Sequence, residues 1–320
     1  MLEQWFDLVS AVTGVFLVMF VGGLARRLKW LTKEVDQSLA TFTSFVLMPS
    51  LFFHRIIIDR GLSTDLDAWY PAWIGFVCTV VGVLTAWGIA RLIGKPAGLE
   101  STSEQRTFGL SAGLGNYGYI PLPLADLFYP GCVVTLMVHN VGVDMALWSV
   151  GLFTISGKGL RSSWKRIVFS PPLMAVLIAV FIKQWGFASS VPTPILQMSE
   201  KLGRCSVPMG LVLSGAILYD YSRSVSWDRA MRVLSLGVVL RMMILPCFIL
   251  ALAAWVTTSE PLKQVLLLQA AMPAATFPIV MTRLYKQSVE TAWIVVVGTS
   301  ILSLLTIPIW MVIGKNFLGL

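Results

Sequence analysis

Two long apolar segments of this chain are each interrupted near the middle by a short motif that ends in proline. The motifs are NYGYIP at residues 116–121 and PAATFP at residues 273–278. Within a bilayer, a helix can break only where the freed backbone groups are buried in protein or face a water-filled cavity. Paired interruptions in corresponding halves of a chain are the pattern that best indicates the binding site of a secondary transporter.

Composition identifies the chain as an integral membrane protein. Of its 320 residues, 56% are hydrophobic and 12% are charged, whereas soluble domains contain about 25% charged residues. The mean hydropathy of +0.78 agrees with this. Lys and Arg retained on the cytoplasmic side of the bilayer explain the net charge of +8, so the charge does not indicate nucleic-acid binding.

The apolar segments predict an all-α membrane protein with ten spans. A helix needs roughly 20 mostly apolar residues to cross the bilayer core. The predicted spans are residues 6–25, 35–54, 69–93, 106–129, 132–155, 167–185, 195–219, 230–256, 262–285 and 289–314.

The basic residues of the connecting segments predict the orientation. With the N-terminus outside, most of them fall on the inner side, for example Arg26 and Arg27 in the first connection and Lys158, Arg161 and Lys165 in the fifth. Basic residues are retained on the cytoplasmic side. We therefore expect a multi-pass protein of the cell (inner) membrane with both termini outside.

Proline spacing suggests an internal repeat. Pro49 and Pro208 are 159 positions apart, and the motifs at 116–121 and 273–278 are offset by 157. This predicts five-helix repeats at residues 1–155 and 167–314, the second inverted because five is odd. Membrane helices often contain proline, so coincidence is the alternative.

The breaks supply the candidate substrate site. Half-helix N-termini carry free N–H groups and partial positive charge, which suit a carboxylate. Gln269 lies one turn before the second break, and Asn140 lies one turn before a carboxylate in the fifth span. The candidate substrate-binding residues are Asn116, Tyr117, Gly118, Pro121, Asn140, Gln269, Pro273, Ala274, Thr276 and Pro278.

Two charged residues, Asp144 and Arg241, fall at the centres of the fifth and eighth spans. Charges at this depth are unfavourable and face the protein interior. Two interpretations stay open: a structural ion pair between the two side chains, or a proton-coupling role for Asp144.

The sequence contains no enzyme signature. It has no Gly-rich phosphate loop, no His/Cys spacing for a metal and no catalytic triad. We therefore expect a non-enzyme without a cofactor or a metal site.

Three stretches are similar to a known family: GNYGYIPL at 115–122, VPMGLVLSGAIL at 207–218 and AMPAA at 271–275. They resemble the auxin efflux carrier family, which includes the plant PIN-FORMED carriers and bacterial permeases for malonate and malate. The family lies within the bile/arsenite/riboflavin transporter group.

The resemblance implies a fold like that of sodium/proton antiporters. Spans 1, 2, 6 and 7 would form a scaffold that holds Pro49 and Pro208. Spans 3–5 and 8–10 would form a transport domain in which spans four and nine cross at their breaks. Asn116, Pro121 and the prolines at 273 and 278 match the crossover positions.

The sequence is thus interpreted as a secondary transporter of a small organic anion, auxin-like or a dicarboxylate, that works by an elevator-type motion. A sodium-coupled symporter of the bile-acid branch and a non-transporting receptor or sensor are the alternatives. A proton gradient is the favoured energy source over sodium. The expected partners are the substrate and the lipid bilayer, and a homodimer is one option for the assembly.

Overall fold

In this computed structural model, which describes residues 2–59, 69–156, 171–220 and 227–320, the chain is helical and forms no strand within those ranges. The predicted all-α class is therefore confirmed. Several basic residues used to predict the orientation lie outside the described ranges. They are Arg60, Lys158, Arg161, Lys165, Arg166 and Arg223.

The described residues form twelve helices, some with a turn of 3₁₀- or π-helix within them. They are α1 (Leu2–Arg27), α2 (Lys33–Ile58), α3 (Tyr70–Ile93), α4 (Thr102–Gly113), α5 (Pro121–Phe128), α6 (Pro130–Ser156), α7 (Pro171–Gln184), α8 (Thr193–Asp220), α9 (Asp228–Val256), α10 (Glu260–Ala271), α11 (Phe277–Leu284) and α12 (Val289–Leu318).

Seven of these helices, α1, α2, α3, α6, α8, α9 and α12, are long and apolar enough to cross a membrane. The pairs α4–α5 and α10–α11 occupy the fourth and ninth predicted spans, and α7 occupies the described part of the sixth. Where the structure describes both ends of a span, the helix ends lie within about four residues of the predicted ends. The length of the apolar run determines the helix as well as the prediction. A multi-pass membrane protein is confirmed, while the complete ten-span topology stays a prediction.

The helix breaks have local causes. The residue before a proline is disfavoured in the α conformation, and Met272, which precedes Pro273, is extended at φ −76° and ψ 140°. Leu114 is likewise extended at φ −94° and ψ 114°. By contrast, Pro208 and Pro308 lie inside α8 and α12 without ending them. A proline alone therefore does not determine where a helix of this protein ends.

The helices pack most closely within two groups. The first packing group is α1, α2, α7 and α8. The second is α3, α4, α6, α9, α10 and α12, together with the short helices α5 and α11, which pack mainly against it. Ion pairs reinforce each group at helix ends. Arg26 of α1 pairs with Asp36 of α2 and Asp220 of α8.

In the second group, Arg229 of α9 pairs with Glu104 of α4 and Glu290 of α12. The guanidinium of Arg229 also donates to the carbonyl of Gly98. Glu104 has a further role at the start of α4, where it forms a capping box with Ser101. The same end of the second group is thus fixed by both backbone caps and charge pairs.

Candidate substrate site

The two helix breaks are joined directly by backbone hydrogen bonds. The Asn116 N–H donates to the Pro273 carbonyl at 2.8 Å, and the Ala275 N–H donates to the Leu114 carbonyl at 3.0 Å. The exchange forms an isolated antiparallel bridge between Gly115 and Ala274. Backbone groups released by the breaks thereby find partners in each other, as buried backbone groups must.

The bridge fixes how the two breaks correspond. Gly115 and Ala274 are 159 positions apart, which is also the separation of Pro49 and Pro208. A repeat with this spacing would match Asn116 with Ala275. In the antiparallel bridge itself, Asn116 lies opposite Pro273, whose carbonyl accepts a hydrogen bond from the Asn116 N–H.

Asn116 is buried and its side chain is only partly engaged. Its Oδ1 accepts a hydrogen bond from the Ile120 N–H at 3.3 Å, just before α5 begins. Within the described residues its amide nitrogen forms no hydrogen bond. Asn116 therefore keeps a free donor at the point where the two breaks meet.

The second break is held by hydroxyl groups from two different helices. The Ala274 N–H donates to Oγ1 of Thr299 on α12 at 3.2 Å, and Thr299 in turn donates to the Val295 carbonyl. The Thr276 hydroxyl lies 3.2 Å from that of Ser214 on α8. The second break thus contacts both packing groups.

Arg241 binds the second break and lies against the first. It is 3% exposed and lies in a π-helical turn of α9, residues Leu240–Ile244. Its Nε donates to the Met272 carbonyl at 2.9 Å and its Nη2 to the Gln269 carbonyl at 3.2 Å. A cation is favourable at the negative C-terminal end of a helix, here α10. Gly115 makes room for it, since a Cβ there would lie 2.0 Å from Nη2.

Asp144 and Arg241 do not form the ion pair considered from the sequence. Among the described residues, Asp144 is in no ion pair and accepts one hydrogen bond, from the Tyr117 hydroxyl at 2.7 Å. Arg241 instead binds backbone carbonyls. Sequence reasoning overlooked that a broken helix exposes carbonyls, which can accept hydrogen bonds from a buried guanidinium although they do not neutralise its charge.

Gln269 and Asn140 contact the first break and its surroundings. Gln269 Nε2 donates to the Tyr117 carbonyl at 3.3 Å. Asn140 Oδ1 lies 3.4 Å from Nδ1 of His139, and the Gln269, Asn140 and His139 side chains are all buried. Gln269 therefore contacts the first break directly, whereas Asn140 contacts its neighbour His139. Among the described residues, neither forms a hydrogen bond with Asn116.

The first packing group also reaches the breaks. The Tyr119 ring lies against Gly210 of α8, where a Cβ would be 2.0 Å from a ring carbon. The methyl group of Met48, which precedes Pro49 in α2, is the nearest atom to a Cβ built on Gly118, at 3.7 Å. Pro121 and Pro278 are buried within the first turns of α5 and α11.

Two cavities lie near the first break. The smaller, of about 30 Å³, is lined by Gly115, Tyr117, His139, Arg241 and Gln269, together with residues of α3. The larger, of about 400 Å³, lies between α2 and α8 on one side and α5 and α6 on the other. Asn116 itself lines neither cavity.

The larger cavity contains paired charges that the sequence did not single out as a site. Arg55 of α2 binds Asp126 of α5 at 2.8 Å, and Arg204 of α8 binds Glu200 one turn earlier. The Arg55–Asp126 pair links the two packing groups across the cavity. Its residues are 71 positions apart in the chain, so no local sequence pattern could have indicated it.

Comparisons with known proteins cover nearly the whole chain. A family model described as a membrane transport protein matches residues 7–162 and 158–311. An uncharacterized transporter of Methanothermobacter thermautotrophicus is 27% identical over 311 residues, which cover 95% of this chain and 97% of the relative. Another, from Methanocaldococcus jannaschii, is 24% identical over 312 residues, covering 94% and 97%.

Proposed function

The chain belongs to the membrane transport protein family, which is the auxin efflux carrier family that its motifs indicate, and we propose that it transports a small organic anion through the site where its helix breaks meet. Membership and relatives support the general class, a membrane transporter. The substrate class and the mechanism are proposals.

One observation carries the proposal. The two helix breaks are hydrogen-bonded to each other, and beside them the Asn116 side chain has an amide donor without a hydrogen bond among the described residues. The Asn116 amide nitrogen is free, while its Oδ1 is already bound to the Ile120 N–H. A donor of this kind suits a carboxylate or another acceptor and does not suit a cation. The N-terminal ends of α5 and α11 add partial positive charge to the same region.

The motion that we propose follows from the packing groups. The breaks belong to the second group, and the Thr276–Ser214 and Arg55–Asp126 contacts connect it to the first. Contacts of these two kinds, one hydroxyl pair and one exposed ion pair, are individually weak. Movement of the second group against the first would carry the breaks from one membrane face to the other, which is an elevator-type mechanism with α1, α2, α7 and α8 as the scaffold.

Inverted five-helix repeats, with both termini outside, complete the proposal. The common 159-residue spacing of the bridge and of the proline pair supports the repeat. In such transporters the site lies near the bilayer midplane between the repeats.

Proton coupling through Asp144 is the energy source that we propose. The Asp144 side chain is half-buried and has one described partner, the neutral hydroxyl of Tyr117, so no cation fixes it in the ionised state. Its hydrogen bond reaches directly to a residue of the first break, which would let protonation of Asp144 affect the substrate site.

The test is uptake of radiolabelled organic acids into liposomes containing the purified protein, with monocarboxylates and dicarboxylates compared. Imposed proton and sodium gradients form separate arms. Uptake driven only by sodium favours the symporter alternative, and specific binding without flux favours a receptor. Absence of both binding and flux across the acids would contradict the proposed anion class.

Two variants of Asn116 make the test specific. Asn116→Ala removes the amide donor, which should weaken anion binding about five- to 150-fold, equivalent to about 1–3 kcal/mol for an unpaired buried acceptor. Asn116→Asp keeps an oxygen for the Ile120 N–H but places negative charge at the site, so it should fold well and bind the anion at least as poorly. Wild-type affinity in a folded Asn116→Asp protein would rule out the role of this residue.

A further inference from the structure

We propose that the smaller cavity, behind the first break, is a binding site for a halide-sized monovalent anion held by Arg241. This site differs from the substrate site in position, since it is lined by Gly115 and Tyr117 and not by Asn116. It does not depend on which organic acid is transported.

The first argument is an uncompensated charge. Arg241 is 3% exposed and, among the described residues, forms no ion pair. Its Nε and Nη2 donate to carbonyls, whereas its Nη1 makes no hydrogen bond within the described part of the chain. Buried charges in proteins are normally paired, because burying a lone ion carries a large penalty. Carbonyl dipoles reduce that penalty but leave the net charge at this position positive.

The second argument is a buried histidine that lines the same cavity. His139 is 2% exposed, and its Nε2 has no hydrogen-bond partner among the described residues. His139 and Arg241 reach the cavity from different helices, α6 and α9. The other side chains there that can ionise are Tyr117, which donates to Asp144, and Cys78. The cation is therefore the dominant charge at the cavity wall.

The third argument is size. The cavity measures about 30 Å³, and a water molecule needs roughly 10–15 Å³ by the same kind of measure. The space suits one monatomic anion or about two waters, and it is too small for an organic acid with a carbon chain. A cation is disfavoured by Arg241. An anion at this position would brace the guanidinium group that links the two breaks.

The experiment is a halide titration of the full-length protein in detergent. Chloride or bromide replaces gluconate at constant ionic strength, and thermal unfolding is followed by intrinsic tryptophan fluorescence. A ligand that binds only the folded state raises the melting temperature in a saturable way. We expect a saturable rise with chloride and bromide, and none with sulfate or acetate. A response to acetate equal to that of chloride would overturn the halide assignment in favour of a carboxylate.

Three variants locate the effect. Arg241→Gln should abolish the halide response, while Arg204→Gln, which removes a surface arginine, should retain it. Val143→Ile adds one methyl group at the cavity wall and should reduce the response without loss of folding, so the test does not depend on Arg241→Gln folding. Crystals soaked in bromide should give an anomalous peak beside Arg241.

No saturable halide response in the wild-type protein would mean that only water occupies the cavity, and the proposal would fail. It would also fail if Val143→Ile and Arg204→Gln responded alike. The organic-acid uptake test is separate, since loss of uptake with an intact halide response would contradict only the proposed function.

Discussion

Replacing Gly115 with alanine tests how tightly Arg241 packs against the first break while it binds the second. A Cβ at position 115 would lie 2.0 Å from Nη2 and 2.6 Å from Cζ of Arg241. The guanidinium group must therefore move, and its hydrogen bonds to the Gln269 and Met272 carbonyls must weaken. The C-terminal end of α10 would then lose part of its bonding to Arg241.

The size of the effect follows from two contributions. Overpacking a close-packed site costs about 1–3 kcal/mol, and losing one hydrogen bond from a charged donor costs about 1.5–3 kcal/mol. We therefore expect Gly115→Ala to lower the free energy of unfolding by about 3–5 kcal/mol. The matched control is Gly118→Ala in the same break, where the nearest atom to the new Cβ is Met48 Cε at an ordinary 3.7 Å.

The assay is equilibrium unfolding in mixed micelles, measured by circular dichroism, for both variants in the wild-type and Arg241→Ala backgrounds. Shortening Arg241 frees the space beside position 115, so Gly115→Ala should cost much less in that background. This double-mutant cycle isolates the contact from other effects of the methyl group. Equal stability of the Gly115→Ala and Gly118→Ala proteins, or an equal cost in both backgrounds, would refute the argument.

Three further predictions use other parts of the molecule. Asp144→Asn should change the free energy of unfolding by no more than about 1 kcal/mol, since an amide oxygen can still accept from the Tyr117 hydroxyl. The same variant should abolish pH-driven uptake while preserving substrate exchange. Unchanged pH dependence of uptake would exclude proton coupling through Asp144. Asp126→Asn should alter the melting temperature little, because the exposed ion pair with Arg55 contributes about 0–1 kcal/mol. A large loss of stability would show that this ion pair holds α2 and α5 together. Single cysteines at position 2 and at the exposed position 316, in a background lacking the four native cysteines, should react with an impermeant reagent in intact cells. Protection of either would contradict the outward termini.

Helix positions were predictable from the sequence because the length of an apolar run and the effect of proline on the preceding residue are local properties of the chain. The apolar runs fixed the long helices, for example residues 69–93 against the observed Tyr70–Ile93. The break before Pro273 follows from the conformation that proline imposes on Met272. Even so, Pro208 and Pro308 are inside continuous helices, so proline indicated where breaks were allowed and not where they occur.

The site was less predictable because most of its contacts involve backbone atoms. The Thr299 hydroxyl accepts from the Ala274 N–H and so completes the second break. The bridge between Gly115 and Ala274 uses no side chain at all. Backbone pairing leaves no residue-type signature, so the contact between the two breaks could not be predicted from side chains.

A repeat with the 159-residue spacing would also account for a chemical difference between the two halves. At a spacing of 159, Arg241 corresponds to Gly82, and Met272 corresponds to Gly113. A Cβ on Gly82 would lie 2.7 Å from the Gly113 carbonyl, so in the first half the two backbones approach directly. In the second half the same interval is spanned by the Arg241 side chain, which donates to the Met272 carbonyl. If the halves arose from one repeat, the presence of arginine in place of glycine at this position put a single cation beside the paired breaks. The partial charges of the half-helices come in similar pairs, so Arg241 adds a positive charge that the backbone alone does not provide. This added charge supports the proposal that the transported substrate is an anion.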